Sequence, residues 1–336
     1  MATIRDVARL AGVGIGTVSR VLSGKGAVSS KTLLKVNQAM EALNFTPNSS
    51  ARSLVSKKMD TIGIWGTATS GEINRRTLRE MEAELKEFEI HLIFADGELN
   101  SKGNPNASRD SFDSLINKGC DGIIIWGTDL PPREILQIEN EFPNIVLLNN
   151  QIELIDDKCF YFNHYQAGYV CGQHLIDKGH SNIACITGWL ETDDGNQRHL
   201  GFLSALNDNN VNIPEELIFE GDYTYRKGFE GALSLLKQDL PFTALFCGND
   251  QSAMSAIAAL SSKGLNVPNN ISVIGYDDMN IASYTSPPLT TVRIPFNRMA
   301  ISATRRLLNL CYNLELDINY DFPIQLIERQ SVKKIG

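Results

Sequence analysis

The chain has 336 residues, with 31 Lys or Arg against 39 Asp or Glu, so its formal net charge is −8. Its 43% hydrophobic and 21% charged residues are ordinary for a globular protein, which excludes wholesale disorder. No apolar run approaches the roughly 18 residues of a membrane helix, and the N-terminus lacks the apolar stretch of a secretory signal. We therefore expect a cytoplasmic protein with two domains, or one domain and a small module.

The charge is unevenly distributed along the chain. Residues 1–60 carry nine Lys or Arg and three acidic residues, a net charge of +6, so the remainder carries −14. A small basic segment attached to a large acidic body indicates that the segment alone binds a polyanion such as nucleic acid.

Three short helices are predicted in this basic segment. Their apolar positions recur at spacings of three and four residues: Ile4, Val7, Ala8 and Ala11, then Val18, Val21 and Leu22, then Leu33, Val36, Met40 and Leu43. Thr3 is placed to cap the first helix, and a turn with glycines at 12 and 14 joins the first two. Two short helices and a third packed across them form the helix-turn-helix arrangement. A three-helix unit without a ligand is the alternative, and the charge favours DNA.

From residue 62 onward, short apolar runs alternate with longer amphipathic segments. Strands are predicted at 62–65, 91–95, 122–126, 145–148, 183–188, 244–248 and 271–275, with helices near 197–208, 228–238 and 250–262. This alternation predicts doubly wound parallel sheets, and the two sets of strands predict two α/β lobes. Ligands of such sheets bind beyond the carboxyl ends of the strands, so we expect a cleft there.

Long ordered motifs carry a family resemblance. They are residues 4–13, 17–22 and 45–48 in the basic segment, and 188–202, 248–253, 274–278 and 288–292 in the body. Together they resemble the lactose-repressor/galactose-repressor (LacI/GalR) family. The resemblance implies a helix-turn-helix head at 1–47, a hinge at 48–59 and a two-lobed effector-binding body at 60–336, similar to periplasmic sugar-binding proteins. The N-lobe would comprise about 60–162 and 292–322, and the C-lobe about 163–291 and 323–336.

The resemblance also implies which residues of the head contact DNA, with the second helix in the major groove. They are Thr3, Ile15, Gly16, Thr17, Ser19 and Arg20. Arg20 is the strongest candidate because a guanidinium bonds bidentately to guanine, although a phosphate contact alone is the alternative. Gly14 stands where the family commonly has Ser, which removes a hydroxyl. Gly16 has no side chain, so specificity is expected to depend on Ile15, Arg20 and DNA shape.

The segment after the head, residues 48–58, is small and polar around a single leucine, Leu54. Taken alone, such a segment is a linker. The resemblance implies instead a short helix on DNA, with Leu54 as a wedge in the minor groove that bends the duplex. Asn48 and Ala51 would flank the wedge, and Arg52 would contact a phosphate or the groove.

Polar residues directly after predicted strands mark the expected cleft. The effector-contacting residues implied by the resemblance are Ser70, Trp126, Asn149, Arg198, Tyr223, Asn249 and Asp277. Amide, carboxylate and guanidinium groups suit sugar hydroxyls, which both donate and accept. A sugar is therefore predicted, with a purine-like corepressor as the alternative. Trp126 as core and Asp277 as a cap stay open, and Asp250 and Asp278 are interpreted as structural caps.

Patterns of enzymes and metal sites are missing from the sequence. There is no HExxH, GxxxxGK[ST] or GxSxG motif, and the five histidines show no metal-ligand spacing. Glu191, Asp193 and Asp194 form an acidic turn that we interpret as a solvated loop. The six cysteines include no CxxC pair and are interpreted as reduced core thiols. We predict no catalysis, no cofactor and no metal.

The combined prediction is a ligand-responsive repressor of carbohydrate-utilisation genes. It would bind palindromic operator DNA as a homodimer, because paired half-sites require two heads, and it would have no membrane partner. The C-terminus has no Leu heptads, which favours a dimer over a tetramer. The alternative is a sugar-binding or sugar-sensing protein of the periplasmic type without a DNA role.

Overall fold

The computed structural model describes residues 2–23, 28–45, 58–66, 72–96, 107–127 and 130–335. Within these ranges the chain forms a small helical head and a body with two parallel sheets, which confirms the predicted fold class. Some predicted site residues lie outside the described residues, namely Asn48, Ala51, Arg52 and Leu54 of the hinge and Ser70 of the cleft.

The head consists of three helices, α1 (Ile4–Ala11), α2 (Ile15–Ser23) and α3 (Ser30–Ala42). Their predicted apolar faces meet, and Val7, Val18 and Val36 are fully buried between them. Gly12 has φ 67°, a left-handed conformation that glycine adopts without strain, and it ends α1 so that the chain can turn into α2.

The first sheet of the body has five parallel strands in the order β2-β1-β3-β4-β5. The strands are β1 (Thr61–Gly66), β2 (His91–Asp96), β3 (Gly122–Trp126), β4 (Ile145–Leu148) and β5 (Cys159–Phe160). The helices between them are α4 (Glu72–Lys86), α5 (Ala107–Asn117) and α6 (Pro132–Glu141). All residues of β1, β3 and β4 are buried, because helices cover both faces of the sheet, and this burial explains their continuous apolar runs.

The second sheet has four parallel strands in the order β7-β6-β8-β9. The strands are β6 (Ile183–Ile186), β7 (Ile218–Phe219), β8 (Ala244–Cys247) and β9 (Ser272–Ile274). The helices are α7 (His164–Asp177), α8 (Asp193–Asp208), α9 (Tyr225–Leu235) and α10 (Asp250–Ser262). Helix α8 begins before the predicted residue 197 because the Thr192 hydroxyl caps it by accepting from the Gly195 N–H at 3.3 Å.

The two lobes are joined by a short antiparallel pair, β10 (Thr291–Arg293) and β11 (Gln325–Ile327). Between these strands lies α11 (Phe296–Tyr312), which packs against α4, β3 and β4 of the first lobe. The chain then returns to the second lobe, where the Val273 N–H donates to the Ser331 carbonyl at 2.8 Å. In the described part of the chain, no helix combines the length and apolarity that crossing a membrane requires.

Candidate functional site

The outward face of α2 carries the residues predicted to read base edges. Ile15 is 47% exposed, and Gly16 and Arg20 are also exposed, whereas Val18 on the opposite side is fully buried. The Arg20 Nε donates to the Gly16 carbonyl at 3.2 Å, one helical turn earlier. The structure thus brings these three predicted residues together on one accessible helix face.

Gly16 is not required by packing within the head. A methyl group built at Gly16 meets no atom within 4 Å, and the same holds for Gly14. The Gly14 carbonyl accepts from the Thr17 N–H at 2.8 Å, so α2 starts there without the hydroxyl cap that a serine would supply. The absence of a side chain at Gly16 leaves its backbone open to close approach by a binding partner.

Thr3 acts within the head as the cap of α1. Its backbone N–H and its hydroxyl both donate to the Asp6 carboxylate, at 2.9 and 2.7 Å. These hydrogen bonds, more than the charge of Arg9, lower the pKa of Asp6. Thr17 and Ser19 are half-buried on the flanks of α2. The structure assigns Thr3 this capping role, and its contact with DNA stays a prediction.

Arg198 is a buried cation of the second lobe, and its charge acts on Asp277. It extends from α8, is only 6% exposed, and its Nη1 donates to the Gly248 carbonyl. The guanidinium carbon lies 3.8 Å from the ring centroid of Tyr276 and 5.1 Å from that of Tyr223. Its Nε has no hydrogen-bond partner. A buried charged donor with an unmet bond is suited to a polar ligand.

Asp277 supplies a carboxyl group to the same environment. Burial raises the pKa of Asp277 well above its usual range, and the positive charge of Arg198 opposes that rise. Its backbone N–H donates to the Val292 carbonyl at 2.8 Å, which ties the loop after β9 to the strand that connects the lobes. The side chain lines the cleft, so its interpretation as a helix cap does not apply.

A cavity of about 370 Å³ opens beside Asp277 and is lined from both lobes, by Ile73, Arg76 and Phe296 as well as Met279 and Asn280. Phe296 packs against Trp126, with ring centroids 5.4 Å apart and an interplanar angle of 33°. Trp126 itself is 4% exposed. Trp126 therefore lies behind Phe296. Its burial fits the predicted alternative of a core residue better than the prediction that it contacts the ligand directly.

Left-handed backbone conformations occur at four non-glycine residues in or beside the predicted site, and at five more elsewhere in the described chain. The φ values of the four are 64° at Asn149, 66° at Tyr223, 113° at Asp277 and 55° at Asp278. Such conformations cost free energy and persist where the surrounding structure imposes them, often at ligand sites.

Asn249 has a structural role in the second lobe. Its amide oxygen accepts from the Ser252 N–H at 2.9 Å and caps α10, and its Nδ2 donates to the Tyr223 carbonyl at 3.0 Å. Both ends of the side chain are engaged and the residue is 6% exposed. Asn249 thus holds Tyr223 in place, and its predicted contact with a ligand stays a prediction, because the second amide hydrogen and the second lone pair of the oxygen are not used by these bonds.

Sequence reasoning missed His164 and Tyr276. The Asn149 amide oxygen accepts from His164 Nε2 at 2.7 Å, which leaves Nδ1 to accept from the Tyr276 hydroxyl at 3.2 Å. Burial and the charge of Arg198 lower the pKa of His164 to about 3, so its ring is neutral at physiological pH. His164 was set aside because histidines were judged by metal-ligand spacing. Its position at the start of α7, directly after β5, was the available signal.

Two interpretations of acidic residues were wrong. Asp278 is not a cap, because its two oxygens accept from Arg293 Nε and Arg329 Nη2, each at 2.6 Å. Asp194 does not lie in a solvated loop, because it belongs to the first turn of α8, and its carboxylate lies 3.7 Å from the Arg198 guanidinium. Asp250 is fully buried and accepts from the Met279 N–H at 2.7 Å and the Thr291 hydroxyl at 2.6 Å, in agreement with a structural role.

Comparison with known proteins agrees with this geometry. Residues 3–48 match the model of bacterial regulatory proteins of the lacI family, and residues 173–332 match a periplasmic binding protein-like domain. The chain is 34% identical to the HTH-type transcriptional repressor PurR of Photorhabdus laumondii, covering 99% of this chain and 97% of that protein. It is 36% identical to the ribose operon repressor of Escherichia coli K12, covering 88% of each.

The fold is likewise similar to a solved structure with both kinds of ligand. The crystal structure of the lac repressor dimer bound to operator and the anti-inducer ONPF superposes with a TM-score of 0.86 at 27% identity, covering 99% of each chain. These relatives are named as repressors and not as enzymes. The match of the head also disfavours a binding protein without a DNA role. The chain belongs to the lacI family of bacterial regulatory proteins.

Proposed function

We propose that the chain is a repressor whose head binds operator DNA and whose cleft binds a small sugar that alters operator affinity. One observation carries the proposal: a single chain combines an exposed helix α2 that presents Arg20 with a buried arginine, Arg198, whose Nε has no hydrogen-bond partner. The domain limits are those expected from the sequence, with a head at 1–47, a hinge at 48–59 and lobes that exchange chain segments near 162, 290 and 322.

In this proposal α2 lies in the major groove. Arg20 would bond guanine, Ile15 would contact a thymine methyl, and Gly16 would allow close approach. Thr17 and Ser19 would face phosphates, and the hinge with Leu54 would occupy the minor groove. Because each head covers one half-site, we propose a homodimer on a palindromic operator, and the lac repressor dimer bound to operator supports this.

Selection of DNA from a random pool, followed by fluorescence anisotropy on the recovered duplex, tests the DNA-binding role. We expect a palindromic consensus. Arg20→Ala should weaken binding to it by about 1–3 kcal/mol and weaken binding to random DNA less. Arg226→Ala, which removes a 68% exposed arginine of the second lobe, is the control and should change neither affinity. Equal losses on both DNAs for Arg20→Ala would reduce Arg20 to a phosphate contact.

The chemistry of the cleft supports a sugar. Arg198, Asp277 and the Asn149–His164 pair offer donors and acceptors from several directions, as a polyhydroxylated ring requires. The aromatic rings of the site pack on one another or on Arg198, at tilted or edge-on angles, rather than forming an open stacking pair. Of these groups Asp277 lines the cavity of about 370 Å³, a volume that suits one small ring. The E. coli ribose operon repressor among the relatives is in keeping with this class.

A thermal-shift comparison of D-ribose, D-glucose, hypoxanthine and guanine tests the ligand class. A ligand that binds only the folded protein raises its melting temperature, by an amount that grows with concentration relative to Kd. We expect a shift with a sugar and none with the two purines. A shift with hypoxanthine or guanine alone would replace the sugar by the purine-like corepressor.

A further inference from the structure

A second set of polar contacts lies where the chain leaves the expected hinge and enters the first lobe. The Asp121 carboxylate accepts from the Met59 N–H at 3.0 and 3.1 Å to its two oxygens, and from the Thr61 N–H at 3.2 Å. It also accepts from the Tyr312 hydroxyl at 2.7 Å. We call Met59, Thr61, Asp121 and Tyr312 the hinge clasp. One carboxylate side chain thus accepts from three donors, and hydrogen bonds to a carboxylate are stronger than those between neutral groups.

Packing reinforces the hinge clasp. A Cβ atom built at Gly119, where φ is 81°, would lie 2.8 Å from Met59 Cγ, so the missing side chain makes room for Met59. Lys58 Nζ lies 4.8 Å from the ring centroid of Tyr312, a cation–π contact. Asp60 has φ 49°, which turns the chain sharply into β1. The backbone at 58–61 is therefore fixed by several independent contacts.

Two elements of the first lobe run from the hinge clasp to the ligand cleft. Asp121 directly precedes β3, which ends at Trp126, while Tyr312 is the last residue of α11, which begins at Phe296. Trp126 and Phe296 pack together at the cleft. The Cys311 thiol donates to the Asp121 carbonyl at 3.2 Å at the clasp. Strand β3 and helix α11 are thus in contact with each other at both of their ends.

Strand β3 and helix α11 are also closely packed against each other. A Cβ atom at Gly122 would lie 2.5 Å from Cys311 Sγ and 2.7 Å from Leu307 Cδ1, so α11 rests directly on the backbone of β3. By helix geometry, the 17 residues of α11 span about 25 Å. A displacement of Phe296 at the cleft is therefore carried to Tyr312 with little loss, because close-packed elements move as units.

We propose that the hinge clasp is the attachment through which ligand binding in the cleft changes the operator affinity of the head, with Asp121 and Tyr312 as positioning residues. The proposal rests on the proposed function. Without the clasp, a shift of β3 and α11 would be absorbed in the segment before Thr61 and would not reach the hinge. Burial and the Asp121 charge raise the pKa of Tyr312, so its hydroxyl keeps its proton throughout the physiological range.

The test compares Tyr312→Phe and Asp121→Asn with a matched control, Tyr169→Phe. Tyr312→Phe deletes one hydroxyl and retains the ring under Lys58. Tyr169 also donates to a carboxylate, that of Asp208 at 3.1 Å, but in the second lobe. For each protein, the Kd for the selected operator is measured with and without saturating D-ribose, and in parallel with hypoxanthine. The ratio of the two Kd values is the readout, because it is independent of whether the ligand induces or represses.

We expect both clasp variants to move this ratio toward 1 by about threefold or more, with ligand Kd on the DNA-free protein unchanged. Tyr169→Phe should retain the wild-type ratio. Hydrogen exchange provides a second measurement that does not depend on ligand: the Met59 and Thr61 amides should exchange faster in both clasp variants. Unchanged exchange of the other amides in the same experiment establishes that the variants are folded apart from the clasp.

Faster exchange with an unchanged Kd ratio would overturn the proposal and leave the clasp as a purely structural contact. Unchanged exchange would overturn it as well, because the clasp would then not hold the segment. Failure of the proposed function looks different: the wild-type chain itself would show no ligand-dependent operator affinity, and the coupling role of the clasp would fall with it.

Discussion

The head and the cleft solve the problem of binding in opposite ways. In the head, Ile15, Gly16 and Arg20 come from six consecutive residues and point outward from one helix. In the cleft, Asn149, Arg198 and Asp277 come from segments far apart in the chain, and Asn149 and Arg198 each make a side-chain hydrogen bond within the protein. An exposed surface can be read from local sequence, whereas an enclosed site depends on how distant segments meet.

This difference has an energetic consequence. Removing an exposed side chain of α2 should remove its proposed contact with DNA and leave the head intact. Removing a buried charged group from the cleft also leaves its partners unpaired, and such unpaired groups cost more than the lost bond contributed. Substitutions in the head should therefore change DNA affinity without changing the free energy of unfolding. In the cleft, ligand affinity should change alone only where the substituted side chain faces the cavity.

The largest effect is expected at Arg198. Arg198→Ala should weaken ligand binding by about a hundredfold, because a charged donor to the ligand is lost, and leave ligand-free operator affinity near that of wild type. Arg198→Lys should recover little, because an ammonium cannot contact the Tyr223 and Tyr276 rings and donate to Gly248 at once. Isothermal titration checks the ligand, with Arg226→Ala as control. Wild-type ligand affinity in Arg198→Ala would place the ligand elsewhere.

The adjacent residues Asp277 and Asp278 differ in expected role, since one should bind ligand and the other should stabilise the fold. Asp278 is enclosed by two arginines, its side chain is 7% exposed, and Asp278→Asn should lower the free energy of unfolding by about 3 kcal/mol. Asp277→Asn should instead weaken ligand binding and leave chemical denaturation nearly unchanged. The reverse assignment of the two effects would show that Asp277, and not Asp278, is the structural residue.

The pH dependence of stability should come from the body. Burial raises the pKa of Asp250 from 3.8 to about 7, so between these pH values the folded chain retains a proton that the unfolded chain has lost. The free energy of unfolding of wild type should therefore fall, relative to Asp250→Asn, by about 1.4 kcal/mol per pH unit over that window, and level off above it. Urea denaturation at pH 4–8 measures the difference. Parallel curves for the two proteins would contradict the raised pKa.

The smallest effect on folding is expected at Gly16. Gly16→Ala adds a methyl group that meets nothing in the protein. Because Gly16 is the second residue of α2, the substitution should gain less than the roughly 1 kcal/mol of a helix interior, so the head should melt slightly later. Operator affinity should nevertheless fall, because in the proposed complex the backbone of Gly16 approaches DNA closely. Melting of the head and anisotropy on operator DNA check the two parts. Unchanged operator affinity would show that Gly16 lies away from the interface.

The sequence was sufficient for the parts of the fold that repeat a local pattern. Burial of every residue of β3 made it a continuous apolar run, and the stripes of α1–α3 gave the head. Two-residue strands such as Cys159–Phe160 and Ile218–Phe219 show no periodicity, and they form only because neighbouring strands pair with them. Tertiary context therefore decided these elements.

Only part of the cleft could be predicted, because most of its contacts also depend on tertiary context. Arg198 and Asp277 follow strands and could be placed there from order along the chain. Tyr276 was hidden because it continues the apolar run of β9, and its ring faces Arg198 only after α8 packs against the sheet. Asn249 caps α10, a role that an Asn before Asp-Gln-Ser also indicates in the sequence, and its ligand contact stays a prediction.

Coupling between cleft and head is the central claim, and one measurement tests it most directly. The Kd of the selected operator is determined by anisotropy across a titration of the ligand that raises the melting temperature, for wild type and Arg198→Ala. The proposed function predicts that the wild-type Kd changes by about fivefold or more and saturates with the ligand, while the Kd of Arg198→Ala stays constant. An operator Kd that is independent of ligand in wild type, or an equal response in both proteins, would contradict it.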